Sequence, residues 1–173
     1  MSTAACVSGD SLAVLDSFLE APGVLSVQGE HEPVVPGGTR CVILAVDLGP
    51  WASFRDAKRH LAHAITAGSE LVRRLPDGRR LVVVAHRGPY RRSGVDRLAS
   101  AALTRSHAFL VMRHACDVEF SYLDVTNCLD SARLAERVRE YVLSGTRTHD
   151  VLLLDWSDVE DQSVAAAARQ SLS

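Results

Sequence analysis

From Arg40 onward the chain alternates two hydrophobic periods, and that alternation restricts it to one class of fold. The segments CVILAVDLG (41–49), LVVVAH (81–86), FSYLDV (120–125) and VLLLDW (151–156) are short apolar runs rich in Val, Ile and Leu. Strands that read this way are buried on both faces, as in parallel sheets covered by helices on either side. Helical patterns separate them. Residues 54–75 place Leu61, Ile65, Gly68, Val72 and Leu75 at steps of four and three, a single apolar stripe on one helix. Ser53 with Asp56 three residues on predicts a capping box at its start, and Pro76-Asp77-Gly78 a turn at its end. A second helix is expected over about Val95–Arg113 and a third over about Ser131–Ser144, the latter burying Leu134, Val138 and Tyr141/Val142. Right-handed crossovers joining such units predict an α/β domain with a mainly parallel sheet of about five strands.

The two ends are less regular. In residues 1–39, Leu12, Leu15 and Phe18/Leu19 suggest a short helix, VLSVQ (24–28) a strand, and PVVPGG a linker, leaving room for one strand before the main sheet. The tail, 157–173, is rich in Asp and then Ala and reads either as a last helix docked on the sheet or as a frayed end. A length of 173 residues with 47% hydrophobic content suffices for one core, so residues 1–173 are read as a single domain built on residues 40–156.

Charge and apolar run length exclude several classes of function. A net charge of −2 supplies no global attraction for nucleic acid, and any basic surface must be local. The apolar runs fall well short of the roughly 20 residues needed to cross a bilayer. The opening MSTAACVSGDSLAVLDSF has no basic region and carries Asp10 and Asp16, unlike a secretory signal. Cys6, Cys41, Cys116 and Cys128 are widely spaced with no CxxC pair, as in reduced, buried thiols of a cytoplasmic protein.

Three polar constellations stand out. Asp56, His60 and His63 share one face of the first long helix, but no further ligand completes a metal site, so they are read as a solvated face and no metal is expected. Asp47 and Asp155 each end an apolar strand, without the paired acids that a phosphorylatable receiver domain needs after its first strand. The loop His86-Arg87-Gly88-Pro89-Tyr90-Arg91-Arg92-Ser93-Gly94 follows the carboxyl end of a strand, where open α/β sheets bind ligands. There Arg91 and Arg92, with Arg97 just beyond, form a candidate anion site, and His86 with Tyr90 a candidate acid–base pair. The competing reading is an ordinary solvent-exposed loop.

The stretch SGVDRLASAALTRSHAFLVMRHACDVEFSYLDV (93–125) resembles the active-site helix and following strand of a short-chain dehydrogenase/reductase. Similarity in element order covers about two-thirds of the chain: Val46-Asp47-Leu48-Gly49 stands where that family has Asn-Asn-Ala-Gly, and Ala85-His86-Arg87-Gly88 where a strand delivers its catalytic Ser. The resemblance implies a shortened Rossmann-like three-layer sandwich. It also implies lost chemistry: the Tyr position holds Arg97, the Lys position four residues later holds Ala101, and the Ser position falls at His86. Arg97 has no proton to give near neutral pH, and Ala101 none at all. No G-x-G-x-x-G lies between a strand and a helix, so neither a nicotinamide nor another cofactor is expected.

The chain is thus similar to the structural subdomain that accompanies the catalytic half of polyketide-synthase ketoreductases. This implies a non-catalytic protein, acting as partner or stabilising subunit in polyketide or fatty-acyl biosynthesis. The implied partners are a second copy or a short-chain reductase, met through the helices at 54–75 and 95–113, and an acyl carrier protein; neither nucleic acid nor membrane is expected. The alternative is a small enzyme or carrier-protein-binding module that uses loop 86–97 as an anionic-ligand site.

Overall fold

The computed structural model describes residues 5–27, 38–75, 80–144 and 151–171. The turn read at Pro76-Asp77-Gly78 and most of the linker before Gly38 lie outside them.

The strands are β1 (Ala5–Gly9), β2 (Val24–Val27), β3 (Cys41–Asp47), β4 (Arg80–His86), β5 (Glu119–Asp124) and β6 (Val151–Asp155). They form one all-parallel sheet in the order β2-β1-β3-β4-β5-β6. The helices are α1 (Asp16–Leu19, after a 3-10 turn at Ala13–Leu15), α2 (Phe54–Arg73), α3 (Arg92–His114), α4 (Ser131–Leu143), α5 (Trp156–Val159) and α6 (Val164–Gln170). The apolar faces of α2 and α3 cover one side of the sheet through Leu61, Ile65 and Val72 and through Val95, Ala99, Leu103 and Leu110. On the other side lie Phe18 of α1, Leu134, Val138 and Tyr141 of α4, and Val164, Ala167 and Ala168 of α6. This is a Rossmann-like three-layer α/β sandwich. The central strands β3, β4 and β5 are buried along almost their whole length, while β6, at one edge, alternates.

The sheet has six strands rather than about five. The additional one, β1, lies between β2 and β3, with Ala5 opposite both Val24 and Cys41. Its ACVSG is short, and its small residues gave no period to read. The tail resolves into α5 and α6, packed on the sheet by Val159, Val164, Ala167 and Ala168. At the start of α2, Ser53 Oγ accepts from the Asp56 backbone N–H at 3.1 Å and donates to the Asp56 carboxylate at 2.6 Å. The full reciprocal box occurs instead at α5, between Asp155 and Asp158. Helix α3 begins at Arg92, three residues earlier than expected.

At the amino ends of the strands, Arg80 and Glu119 stand opposite each other in the register and pair inside the protein. Arg80 Nε and Nη2 lie 2.8 and 2.7 Å from Glu119 Oε2, with both side chains 9% exposed. The guanidinium also stacks 4.2 Å from the Tyr141 ring and donates to the Tyr141 carbonyl. The nearby Cys41 thiol is pushed up to about 12, chiefly by burial.

Candidate functional site

The parallel register brings the last residues of successive strands to one edge. Asp47 stands opposite His86, and Asp124 opposite Ala85 and Asp155, with Gly9-Asp10 beside Ala45 on the far side. Of the six strands, four (β1, β3, β5 and β6) end in, or run directly into, an aspartate, and β4 ends in a histidine. Among the described residues this edge holds two clusters.

The first lies over β1, β3 and β4. His86 Nδ1 is 3.0 Å from Asp47 Oδ1, which also accepts from the Gly49 N–H at 2.9 Å. The Asp47 backbone N–H donates to Asp10 Oδ2 at 2.7 Å, and the same oxygen is 2.6 Å from His60 Nε2. Two histidine–aspartate pairs are thus joined by one hydrogen bond. The His60 ring packs 4.8 Å from Trp51, whose carbonyl accepts from the Tyr90 hydroxyl, and Tyr90 packs on Phe54. When Nδ1–H of His86 donates to Asp47, its Nε2 is left as a base without a partner among the described residues, on a side chain 40% exposed. An imidazole held this way has the orientation that general-base catalysis uses. Gly88 makes the loop fit: its φ is +60°, and a Cβ there would sit 2.6 Å from Gly49 Cα.

The second cluster lies over β4, β5 and β6. Arg87 Nε donates to the buried Asp124 at 2.9 Å, and Arg87 Nη1 to the Tyr90 carbonyl at 2.9 Å; Thr126 Oγ1 holds the other Asp124 oxygen at 2.6 Å. Arg92 pairs with Asp155 and, at 3.3 Å, with Asp96. Burial pushes the Asp155 carboxyl up, but hydrogen bonds from Ser157 and the charge of Arg92 outweigh it and hold Asp155 below the usual carboxylate range. Burial raises Asp96 despite the same arginine. Between Arg87, Arg92, Asp124, Asp155, Trp156 and Glu160 is a cavity of about 200 Å³.

Beneath α3, the Tyr122 hydroxyl is buried with no hydrogen-bond partner among the described residues. Burial, followed by the nearby Asp124 and Asp96 charges, pushes it well above the usual phenol range.

The point where strand order reverses, between β1 and β3, is where doubly wound sheets hold dinucleotides. Here it is filled. Gly9, at φ +108°, packs so closely that a Cβ would lie 2.2 Å from the Ala45 oxygen. Among the described residues a cavity of about 20 Å³ is left beside it, and the helical segments that follow β1 span only three and four residues.

The residues singled out from the sequence are therefore dispersed. His86 and Tyr90 lie at the strand ends, but each is engaged, with Asp47 and with the Trp51 carbonyl. Arg92 faces three carboxylates, whereas Arg91 and Arg97 are exposed with no partner among the described residues. Ala101 is also exposed. Asp56, His60 and His63 do not converge: His60 turns to Asp10, Asp56 pairs with Ser53 and Arg59, and His63 is exposed. Among the described residues no group of three His, Cys, Asp or Glu side chains is placed to hold a metal, and no helix is long and apolar enough to cross a membrane. Sequence reasoning missed Asp10 and Asp124, for which the repeated aspartate at strand ends was the available signal, and placed Arg87 in the candidate loop without its partner Asp124. No family model, curated protein or solved structure matches the chain.

Proposed function

We propose that the chain is a non-catalytic, cytoplasmic relative of short-chain reductases, serving as a partner or stabilising subunit in polyketide or fatty-acyl biosynthesis. The observation that carries this reading is the close packing of the described residues at the reversal point. The Asp10 carboxylate, tied to His60 and to the Asp47 N–H, lies at this edge, and the cavity that the described residues leave beside it, about 20 Å³, is far too small for a nicotinamide dinucleotide. The test is addition of the purified chain to a short-chain ketoreductase encoded beside it. A stable complex by native mass spectrometry with raised thermal stability of the reductase is expected; no complex, or saturable NADPH binding by the chain alone, overturns the reading.

The His86–Asp47 pair favours a second reading, a small enzyme or carrier-protein-binding module at loop 86–97. Its half-exposed, oriented imidazole is the basis. If that reading holds, His86→Ala abolishes turnover of, or binding to, an acylated carrier protein; unchanged behaviour rejects it.

A further inference from the structure

Charge is distributed unevenly over the two faces of the sandwich. Residues 54–74 and 91–114, which comprise α2, α3 and their flanking caps, contain ten arginines and lysines against three carboxylates, in a chain whose net charge is −2. The three acids, Asp56, Glu70 and Asp96, are half-buried and already paired with Arg59, Arg73 and Arg92. Every exposed charged side chain on these two helices is basic. Arg55, Lys58, Arg91, Arg97, Arg105 and Arg113 have no partner among the described residues. The opposite layer, with α4, α5 and α6, carries mixed charges partly spent on one another, as in Arg133–Asp161 and Arg137–Glu140.

From this we infer that the α2–α3 face docks an acidic, amphipathic helix of a different protein. The inference rests on the partner reading above and gives the partner its chemistry. An isologous pair of copies would set this excess positive charge against its own image, which like-charge repulsion disfavours. Apolar groups argue for protein rather than nucleic acid. Phe109, Val111 and Met112 are exposed at the far end of α3, Met112 to 82%, beside Arg105 and Arg113. Ala101 and Ala108 keep the stripe between Arg97 and Met112 low, so a helix can approach closely. A phosphate backbone would use the charges and leave the apolar end uncovered; a helix with a carboxylate stripe beside a leucine stripe uses both.

The probe is a labelled 20-residue helical peptide with such glutamate and leucine stripes, titrated into the full chain. Binding should weaken about tenfold between 50 and 300 mM salt as screening grows. Arg97→Glu/Arg105→Glu should weaken it at least tenfold, Arg97→Gln/Arg105→Gln several-fold, and Met112→Ala about threefold, all with unchanged melting temperature. Arg133→Glu/Arg139→Glu on α4 should leave it unaltered. Three results overturn the inference: peptide binding indifferent to the Arg97 and Arg105 changes; a 20-base-pair duplex that binds this face more tightly than the peptide; or self-association in sedimentation that the Arg97→Glu/Arg105→Glu chain loses, which makes a second copy the occupant. Failure to complex with a reductase while the peptide still docks rejects the family setting and leaves the face assigned.

Discussion

Replacing Tyr122 by Phe should make this protein more stable. The Tyr122 side chain is 1% exposed, in the layer between β5 and α3, and its hydroxyl has no hydrogen-bond partner among the described residues. A buried hydroxyl that surrenders its water without a replacement costs about 1–3 kcal/mol. Removing the single oxygen leaves the ring in place and opens a gap of less than one methyl group, which forfeits some contact and returns part of the gain. The balance is about 1 kcal/mol in favour of Phe, a rise in melting temperature of about 2–4 °C for a domain of this length. Differential scanning calorimetry on both proteins at pH 7, with urea midpoints as a second measure, reads it directly. A loss of stability in Tyr122→Phe would refute the reasoning: it would mean that the hydroxyl is satisfied, by a water held beneath α3 near Asp96 and Asp124.

Two further perturbations probe the ends of the strands. Glu119→Leu removes the carboxylate from the buried Arg80 charge and should cost about 3 kcal/mol, whereas the Arg80→Leu/Glu119→Leu double change should recover most of that loss, read from chemical unfolding of the single and double variants. Asp155 is held below the usual carboxylate pKa near 3.9, so its contribution is present above that value and disappears as pH falls through the lower folded one. The stability difference between wild type and Asp155→Asn, which keeps an N-cap on α5, should therefore be constant from pH 8 to 5 and shrink below pH 4 in acid unfolding curves.

Much of the fold was legible because two signals were strong. Strands β3, β4 and β5 are buried on both faces and so appear as unbroken apolar runs, and α2 carries its stripe at regular helical steps. Strand β1 was not legible: five residues that include Ala, Ser and Gly have no periodicity, and their burial comes from β2 and β3 on either side. The site divides the same way. Asp47, His86 and Asp155 were visible as polar ends of apolar strands. Their partners were not, because Asp10 meets His60 across 50 residues only once β1 has inserted beside β3. Likewise Arg92 is claimed by Asp155 only because β6 ends next to the start of α3. An arginine cluster in a sequence carries no information about which of its members the fold will neutralise.

The Arg80–Glu119 pair has a consequence for how the sheet assembles. Parallel strands made of runs such as LVVVA and FSYL can slide along one another with little change in buried apolar area, so hydrophobicity alone sets their alignment poorly. A salt link at the first position of both strands removes that degeneracy. Any slip leaves an arginine and a carboxylate buried apart, a penalty of several kcal/mol, so one alignment is selected from many. The pair acts as an indexing pin between β4 and β5, and His86 and Asp124 at the other ends of those two strands inherit their alignment from it.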